Sequence, residues 1–147
     1  MRDKDVGEIL LVEDNPRDAE MTQRALRKHN LGNRLRWIKD GADALDYLFC
    51  TGAYADRVPN RPPKLVLLDL KMSKVDGIEV LRRIRAEERT RHVPVVVMTS
   101  SSEERDVAET YRFGVNSYVI KPIAIDSFLA AVSEVGLYWV LVNRVPE

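Results

Sequence analysis

The sequence predicts an α/β domain in which a parallel sheet is covered by helices on both faces. A first observation is that short aliphatic runs, such as Leu65–Leu68, show no polar alternation, which is typical of strands buried on both sides. A second is that these runs alternate with stretches whose apolar residues recur at helical spacing, such as Ile78, Leu81 and Ile84. A third is that 147 residues with 45% hydrophobic character suffice to bury one core. We therefore expect a single domain over residues 1–147.

The composition excludes several classes of protein. The 23 basic and 23 acidic residues leave no net charge, so nothing indicates a nucleic-acid or membrane partner. The single cysteine, Cys50, rules out an internal disulfide and a cysteine metal cluster. The amino terminus has no apolar core like that of a signal peptide, and no run approaches the roughly 20 apolar residues that span a bilayer. A cytoplasmic protein is the expectation.

Five strands are predicted, each bounded by turn residues. The second is the most polar and is typical of an edge strand. The stretch from Thr51 to Pro63 contains one glycine and three prolines, so it is not expected to be regular. The strands are Glu8–Glu13, Arg34–Lys39, a run that ends at Asp69, a run from Val93 that ends at Thr99, and Ser117–Ile120.

A helix is predicted after each strand. Asn15 suits the N-cap of the first helix and Pro16 its first position, and this helix should run to about His29. The arginines of the third helix, including Arg85, are interleaved with glutamates, which favours a solvated face. The later helices begin after Asp40-Gly41, Asp76-Gly77, Ser102 and Lys121-Pro122.

This alternation of strands and helices requires crossover connections, a parallel sheet and helices on both faces. With five strands and five helices, we expect the doubly wound, flavodoxin-like strand order 2-1-3-4-5. In that order strands 1, 3, 4 and 5 are neighbours. Their carboxyl ends therefore meet at one edge of the sheet, which is where open α/β sheets place their ligand sites.

The carboxyl ends of these four strands would surround a single crevice. Taken singly, each polar residue there has an ordinary interpretation as a turn acid, a helix cap or a surface lysine. Their shared position relative to four strands favours a chemical role instead. The residues are Glu13, Asp14, Asp69, Thr99 and Lys121.

Three carboxylates packed together repel one another unless a cation neutralises them. Carboxylate oxygens are ligands that Mg²⁺ prefers. The histidines, His29 and His92, lie away from the crevice, which disfavours zinc and a Ser-His-Asp hydrolase. An acid beside Mg²⁺, with a lysine and a hydroxyl opposite, can accept a phosphoryl group. Asp69 would be the nucleophile, while Lys121 and Thr99 would contact the transferring oxygens.

Four motifs together resemble the receiver domain of two-component response regulators, and the resemblance covers nearly the whole chain. They are Glu13-Asp14, Asp69 followed by Met72 and Asp76-Gly77, Thr99-Ser100, and the run from Tyr118 to Pro122. The resemblance implies that Asp69 is the phosphoacceptor. It also implies a metal sphere of Glu13, Asp14, Asp69 and the backbone carbonyl of Lys71, a switch pair of Thr99 and Tyr118, a phosphoryl-contacting Lys121, and a cis bond before Pro122.

A narrower resemblance concerns the loop before the third strand and the Tyr138-Trp139 pair. Both are similar to the small stand-alone regulators that serve phytochrome-type histidine kinases. One departure from the family pattern is Ser73, which stands where proline usually follows the methionine of the motif. Because proline stiffens a loop, its absence should loosen the turn after Asp69.

The resemblance implies a switch that a histidine kinase phosphorylates and that catalyses only its own phosphorylation and dephosphorylation. Phosphorylation would draw Thr99 inward, let Tyr118 turn, and reshape the surface of helix 4, strand 5 and helix 5. With no output domain expected, the signal would pass to an unknown downstream protein. In the tail formed by residues 137–147, an apolar strip is expected to extend helix 5 into a homodimer surface, with Tyr138, Trp139 and Leu141 at the contact.

Two alternatives remain open. A Mg²⁺-dependent phosphatase of the haloacid dehalogenase type would need a second acid two residues after the nucleophile, where this chain has Lys71. A pseudo-receiver that acts only as an interaction module would have no use for the intact Asp69, Thr99 and Lys121. Phosphoryl uptake would separate the switch from the interaction module, and steady turnover of a generic phosphoester would favour the phosphatase.

Overall fold

Five parallel strands form one sheet in the order β2-β1-β3-β4-β5, as the sequence predicts. The computed structural model describes residues 9–27, 35–56, 62–70, 72, 75–99, 110–115 and 117–120. The polar second strand lies at one edge of the sheet, which confirms the expectation from its composition. The strands are β1 (Ile9–Val12), β2 (Leu35–Ile38), β3 (Leu65–Asp69), β4 (Val95–Thr99) and β5 (Ser117–Ile120).

Three helices follow the first three strands: α1 (Pro16–Arg27), α2 (Gly41–Phe49) and α3 (Gly77–Ala86). Residues 110–112 are also helical, at the place where the predicted fourth helix ends. The stretch expected to be irregular contains a short 3₁₀ turn at Gly52–Tyr54, which corrects that expectation in part. The predicted fifth helix and the tail of residues 137–147 lie outside the described residues.

Strands β1 and β3 lie inside the sheet and are buried along their whole length. Their side chains alternate between two cores, one on each face of the sheet. Leu10 and Val66 face the core that contains α2 and α3 residues such as Leu48. Leu11 faces the opposite core, which contains α1 residues such as Leu26. Because successive residues of a strand point to opposite faces, helices on both sides are needed to cover this sheet. The doubly wound architecture follows directly.

Each of the three helices begins at a capping side chain. The Oδ1 atom of Asn15 accepts hydrogen bonds from the backbone N–H groups of Arg17 (2.9 Å) and Asp18 (3.2 Å). Asp40 and Asp76 cap α2 and α3 in the same way. An N-cap bond satisfies an N–H group that has no partner within the helix. These caps therefore define where each helix starts at the carboxyl edge of the sheet.

The carboxyl end of α2 is unusual because its capping residue is not glycine. Cys50 has φ 58° and ψ 48°, the left-handed region that side chains other than glycine rarely adopt. Its backbone N–H donates to the carbonyl of Asp46. The side chain of Cys50 is half-buried. The sequence carried no signal for its conformation.

Arg85 corrects the prediction that the arginines of α3 form a solvated face. Its guanidinium is half-buried and donates hydrogen bonds to backbone carbonyls of two segments. These are the carbonyls of Arg91 (3.0 Å) and Val93 (2.7 Å) before β4, and of Phe113 (2.9 Å) and Gly114 (2.8 Å) before β5. Burial lowers the pKa of this group from its ordinary value. Arg85 therefore joins the amino-terminal ends of β4 and β5 to the last turn of α3.

We expect Arg85→Met to destabilise the protein by about 2 kcal/mol, because carbonyls that accept charge-assisted bonds lose their donor. Urea unfolding followed by circular dichroism measures this loss. The matched control is Arg82→Met on the same helix. Arg82 is exposed and pairs only with Glu79 of its own helix among the described residues, so its loss should leave the midpoint nearly unchanged. Equal midpoints for the two variants would contradict the assigned role of Arg85.

Candidate functional site

Three carboxylates lie together at the carboxyl edge of β1 and β3. Glu13 directly follows β1, Asp14 is the next residue, and Asp69 is the last residue of β3. In the β1–β3 register Val12 lies opposite Leu68. Glu13 and Asp69 are the next residues of the two chains and are therefore neighbours at the carboxyl edge of the sheet. One oxygen of each acid lies within 4.8 Å of the others. Glu13 is 0% exposed and Asp69 4% exposed, whereas Asp14 lies nearer the surface.

This group fits a hard divalent cation. It consists of carboxylates alone, and oxygen ligands suit Mg²⁺ or Mn²⁺ better than zinc, which favours imidazole and thiolate. Two ligands are buried and the third is closer to solvent, so a bound ion could retain waters on the open side, as Mg²⁺ usually does. The donor set therefore agrees with the metal that the sequence predicts.

The backbone of Glu13 is held by the edge strand β2. Its N–H donates to the carbonyl of Ile38 (3.1 Å), which extends the β1–β2 ladder by one bond. Its carbonyl accepts a hydrogen bond from the indole Nε1 of Trp37 (2.7 Å). Its side chain accepts from the backbone N–H of Asn15 (3.2 Å). The first acid is thus fixed at its N–H, its carbonyl and its carboxylate.

The same turn leads directly into α1. Asn15, whose N–H binds the Glu13 carboxylate, also caps this helix, as its place before Pro16 predicts. The acids therefore lie beside the amino terminus of a helix, where the helix dipole favours negative charge. Only Asn15 separates the two acids from the first residue of α1.

The backbone at Asp69 is covered by the first residue of α3. The N–H of Gly77 donates to the carbonyl of Leu70 (2.9 Å). A Cβ at Gly77 would lie 2.6 Å from the Cα of Leu70 and would overlap the carbonyl oxygen of Asp69. Glycine is therefore required here by close approach and not by its φ angle. The start of α3 is packed onto the strand end that carries Asp69.

A second glycine packs against the end of the β3–α3 loop. A Cβ at Gly41, the first residue of α2, would overlap the carbonyl oxygen of Val75. Val75, near the end of the loop, therefore packs directly against the first residue of α2. Such contact leaves the loop little room to move where it joins α3.

The remaining site residues predicted from the sequence are placed only in part. Thr99 is the last residue of β4, and Met98 lies opposite Asp69 in the β3–β4 register. The backbone of Thr99 therefore lies one residue further toward the carboxyl edge of the sheet than Asp69, the candidate phosphoacceptor. Tyr118 lies in β5 opposite Val97. The other predicted residues lie outside the described residues: Lys71, Ser73, Lys121, Pro122, Tyr138, Trp139 and Leu141.

Sequence reasoning did not find Trp37, Gly41 and Gly77 as parts of the site. The glycines carry a signal, because an Asp-Gly pair marks the start of both α2 and α3, with the aspartate as the N-cap and the glycine as the first helical residue. That repeated dipeptide indicates a helix start that packs against backbone. The indole bond of Trp37 has no local signal, since its partner lies 24 residues earlier in the chain.

Comparison with known proteins identifies the family. The profile of the response regulator receiver domain matches residues 9–133. The chain belongs to this receiver domain family. The resemblance drawn from the sequence motifs is therefore confirmed.

Within the described part of this receiver domain, no helix is both long enough and apolar enough to span a bilayer.

Similar proteins include regulators linked to phytochromes. The solved structure of the bacteriophytochrome response regulator AtBRR is 48% identical, with a TM-score of 0.83 over 95% of this chain and 99% of that one. The Mn²⁺-bound response regulator Rcp1 is 32% identical, with a TM-score of 0.74 over 95% of this chain and 97% of that one. A relative from Methanothrix harundinacea (strain 6Ac), the probable methanogenesis regulatory protein FilR2, is 42% identical over 94% of this chain and 86% of its own.

We expect Gly77→Ala to destabilise the receiver domain by about 1–3 kcal/mol, because the added methyl group must displace backbone at Asp69 and Leu70. Thermal unfolding measures this effect. Lys64→Ala is the control, since Lys64 is exposed at the opposite end of β3. A Gly77→Ala protein as stable as the wild type would show that α3 can move away from the strand end without cost.

Proposed function

We propose that this receiver domain accepts a phosphoryl group on Asp69 from a histidine kinase and signals through a change of its surface. The observation that carries the proposal is the position of Asp69, buried at the end of β3 with its carboxylate within 4.8 Å of Glu13 and Asp14. Membership of the receiver family supports it, because such domains are phosphorylated by histidine kinases. The protein would catalyse only its own phosphorylation and dephosphorylation.

In the proposed reaction a carboxylate oxygen of Asp69 attacks the phosphorus of a phosphohistidine. The new O–P bond forms as the N–P bond breaks, and the imidazole nitrogen keeps the electron pair and takes up a proton. Glu13, Asp14, Asp69 and the backbone carbonyl of Lys71 would hold Mg²⁺, which would supply positive charge that stabilises the phosphoryl oxygens. The Mn²⁺ form of Rcp1 supports a divalent cation at such a site.

The chain itself would position the reactants. The Asp69 carboxylate is held at a strand end that is 4% exposed, so its attack geometry depends on β3 and on the start of α3. Lys121 and Thr99 would contact phosphoryl oxygens, and the position of Thr99 at the end of β4, beside β3, supports this role. Movement of Thr99 toward the phosphoryl group would then let Tyr118 turn.

We further propose that residues 1–147 act as one receiver domain that serves a phytochrome-type histidine kinase. Similarity along nearly the whole chain to AtBRR, a bacteriophytochrome response regulator, supports this pairing. The signal would leave through the surface of helix 4, β5 and helix 5 toward a downstream protein. A homodimer through that surface and the tail, with Tyr138, Trp139 and Leu141 at the contact, is part of the same proposal.

We expect incubation with acetyl phosphate and Mg²⁺ to add one phosphoryl group to the wild-type protein, and Asp69→Asn to abolish the gain. Intact mass spectrometry measures this directly. Asp76→Asn is a matched control, because it removes an acid from the same loop while asparagine can still cap α3. The control should gain one phosphoryl group like the wild type.

Other outcomes would favour the alternatives. No gain in the wild type would contradict the switch and support a phosphorylation-independent interaction module. Steady release of product from a generic phosphoester would support the phosphatase. A gain that persists in Asp69→Asn would assign the modification to another residue.

We expect Asp14→Asn to weaken Mn²⁺ binding by about tenfold or more, because the amide lacks the negative charge of the ligand it replaces. Isothermal titration calorimetry with Mn²⁺ measures the affinity. Asp43→Asn is the control, since Asp43 is an exposed acid of α2 that does not belong to the carboxylate group. Equal affinities for the two variants would show that Asp14 does not hold the ion.

A further inference from the structure

One side chain of the edge strand β2 contacts the turn that carries Glu13 and Asp14. The indole Nε1 of Trp37 donates to the backbone carbonyl of Glu13 at 2.7 Å, across 24 residues of sequence. The next residue of the strand, Ile38, accepts the N–H of Glu13 at 3.1 Å. Both backbone polar groups of this acid are therefore bound by adjacent residues of β2.

The indole is itself held in place. Trp37 is half-buried and packs, with Leu35, against the core that contains Leu11 and Met98. The ammonium of Lys39 lies 5.7 Å from the centre of its ring. A tryptophan side chain has only two rotatable bonds, so packing on one face and a cation near the ring leave its N–H with a fixed direction. The direction of the donor is therefore set by contacts within the chain.

The orientation of the Glu13 peptide determines where the next two residues point. Asp14 follows it directly, and the N–H of Asn15 donates to the Glu13 carboxylate. Rotation of this peptide would therefore move Asp14 and loosen the bond that orients the Glu13 carboxylate. Groups that orient metal ligands without touching the metal typically change metal affinity by about 10- to 100-fold when they are removed.

We propose that Trp37 is a positioning residue for the divalent cation: its indole N–H holds the Glu13 peptide so that Glu13 and Asp14 keep their spacing to Asp69. The inference rests on the proposed function, in that the cation concerned is the one that phosphoryl transfer uses. It assigns a task to the edge strand, which supplies none of the three carboxylates. The task is separate from the contribution of Trp37 to the core.

The test compares Mn²⁺ binding by Trp37→Phe with binding by Leu35→Ala. The phenylalanine keeps an aromatic ring in the core and lacks the N–H donor. Leu35→Ala removes packing from the same strand and the same core and leaves the donor in place. We expect Trp37→Phe to bind Mn²⁺ about tenfold more weakly by calorimetry, at the lower end of the range for such residues. Leu35→Ala should bind Mn²⁺ like the wild type despite a lower melting temperature.

A second comparison isolates the hydrogen bond. Site-specific incorporation replaces Trp37 alone by benzothienylalanine, which has the shape of tryptophan with sulfur in place of the N–H, or by 5-fluorotryptophan, which keeps the N–H. The sulfur analogue should weaken Mn²⁺ binding and the fluorinated one should restore it. Mn²⁺ affinity unchanged in Trp37→Phe, or lowered equally in Leu35→Ala, would overturn the proposal.

These outcomes remain distinct from failure of the proposed function. A wild-type protein that binds Mn²⁺ with the expected pattern but gains no phosphoryl group would contradict phosphoryl acceptance and leave the role of Trp37 intact. A protein that gains a phosphoryl group on Asp69 while Trp37→Phe binds Mn²⁺ normally would contradict only the role of Trp37. A wild-type protein that binds no Mn²⁺ would overturn both.

Discussion

Repulsion among three carboxylates within 4.8 Å of one another is the constraint on which this structure depends. Like charges at this distance favour any movement that separates them, so the backbone that carries them must be prevented from relaxing. Two of the acids lie at the ends of adjacent strands, β1 and β3, whose apolar residues are fully buried. Burial of aliphatic side chains stabilises these strands by roughly 1.5–3 kcal/mol per residue, which is ample to keep the strand ends in register against repulsion in a partly solvated site.

Burial of the strands alone does not fix the residues just beyond them, and here the structure uses groups that cannot adjust. At Asp69 the start of α3 approaches so closely that only glycine fits at position 77. The backbone of Glu13 is held on both sides, because its carbonyl accepts an indole N–H and its own N–H donates to a strand carbonyl. A preorganised site of this kind need not reorganise when charge changes during phosphoryl transfer, which is how protein electrostatics lower a barrier. Rigidity at these two points is therefore part of the proposed chemistry.

The fold and the acidic group could be predicted because they follow from local patterns and from one topological rule. Unbroken aliphatic runs identify β1 and β3, and the strand order brings Glu13 to Asp69. The contacts of Trp37 and Arg85 could not be predicted in this way. Each donates to backbone carbonyls that are distant in sequence. Because any residue type can supply a carbonyl, the sequence does not indicate which residues accept these bonds. Arg85 even sits among glutamates, which is the usual pattern of a solvated face.

Arg85 and Gly77 together determine how α3 is attached to the sheet. The first residue of α3 packs on the backbone of Asp69, and its last turn is bound through Arg85 to the segments that precede β4 and β5. This helix of 10 residues is therefore held at both of its ends. Because one anchor lies at the carboxyl edge of the sheet and the other at the amino-terminal ends of β4 and β5, α3 is fixed against the sheet along its length.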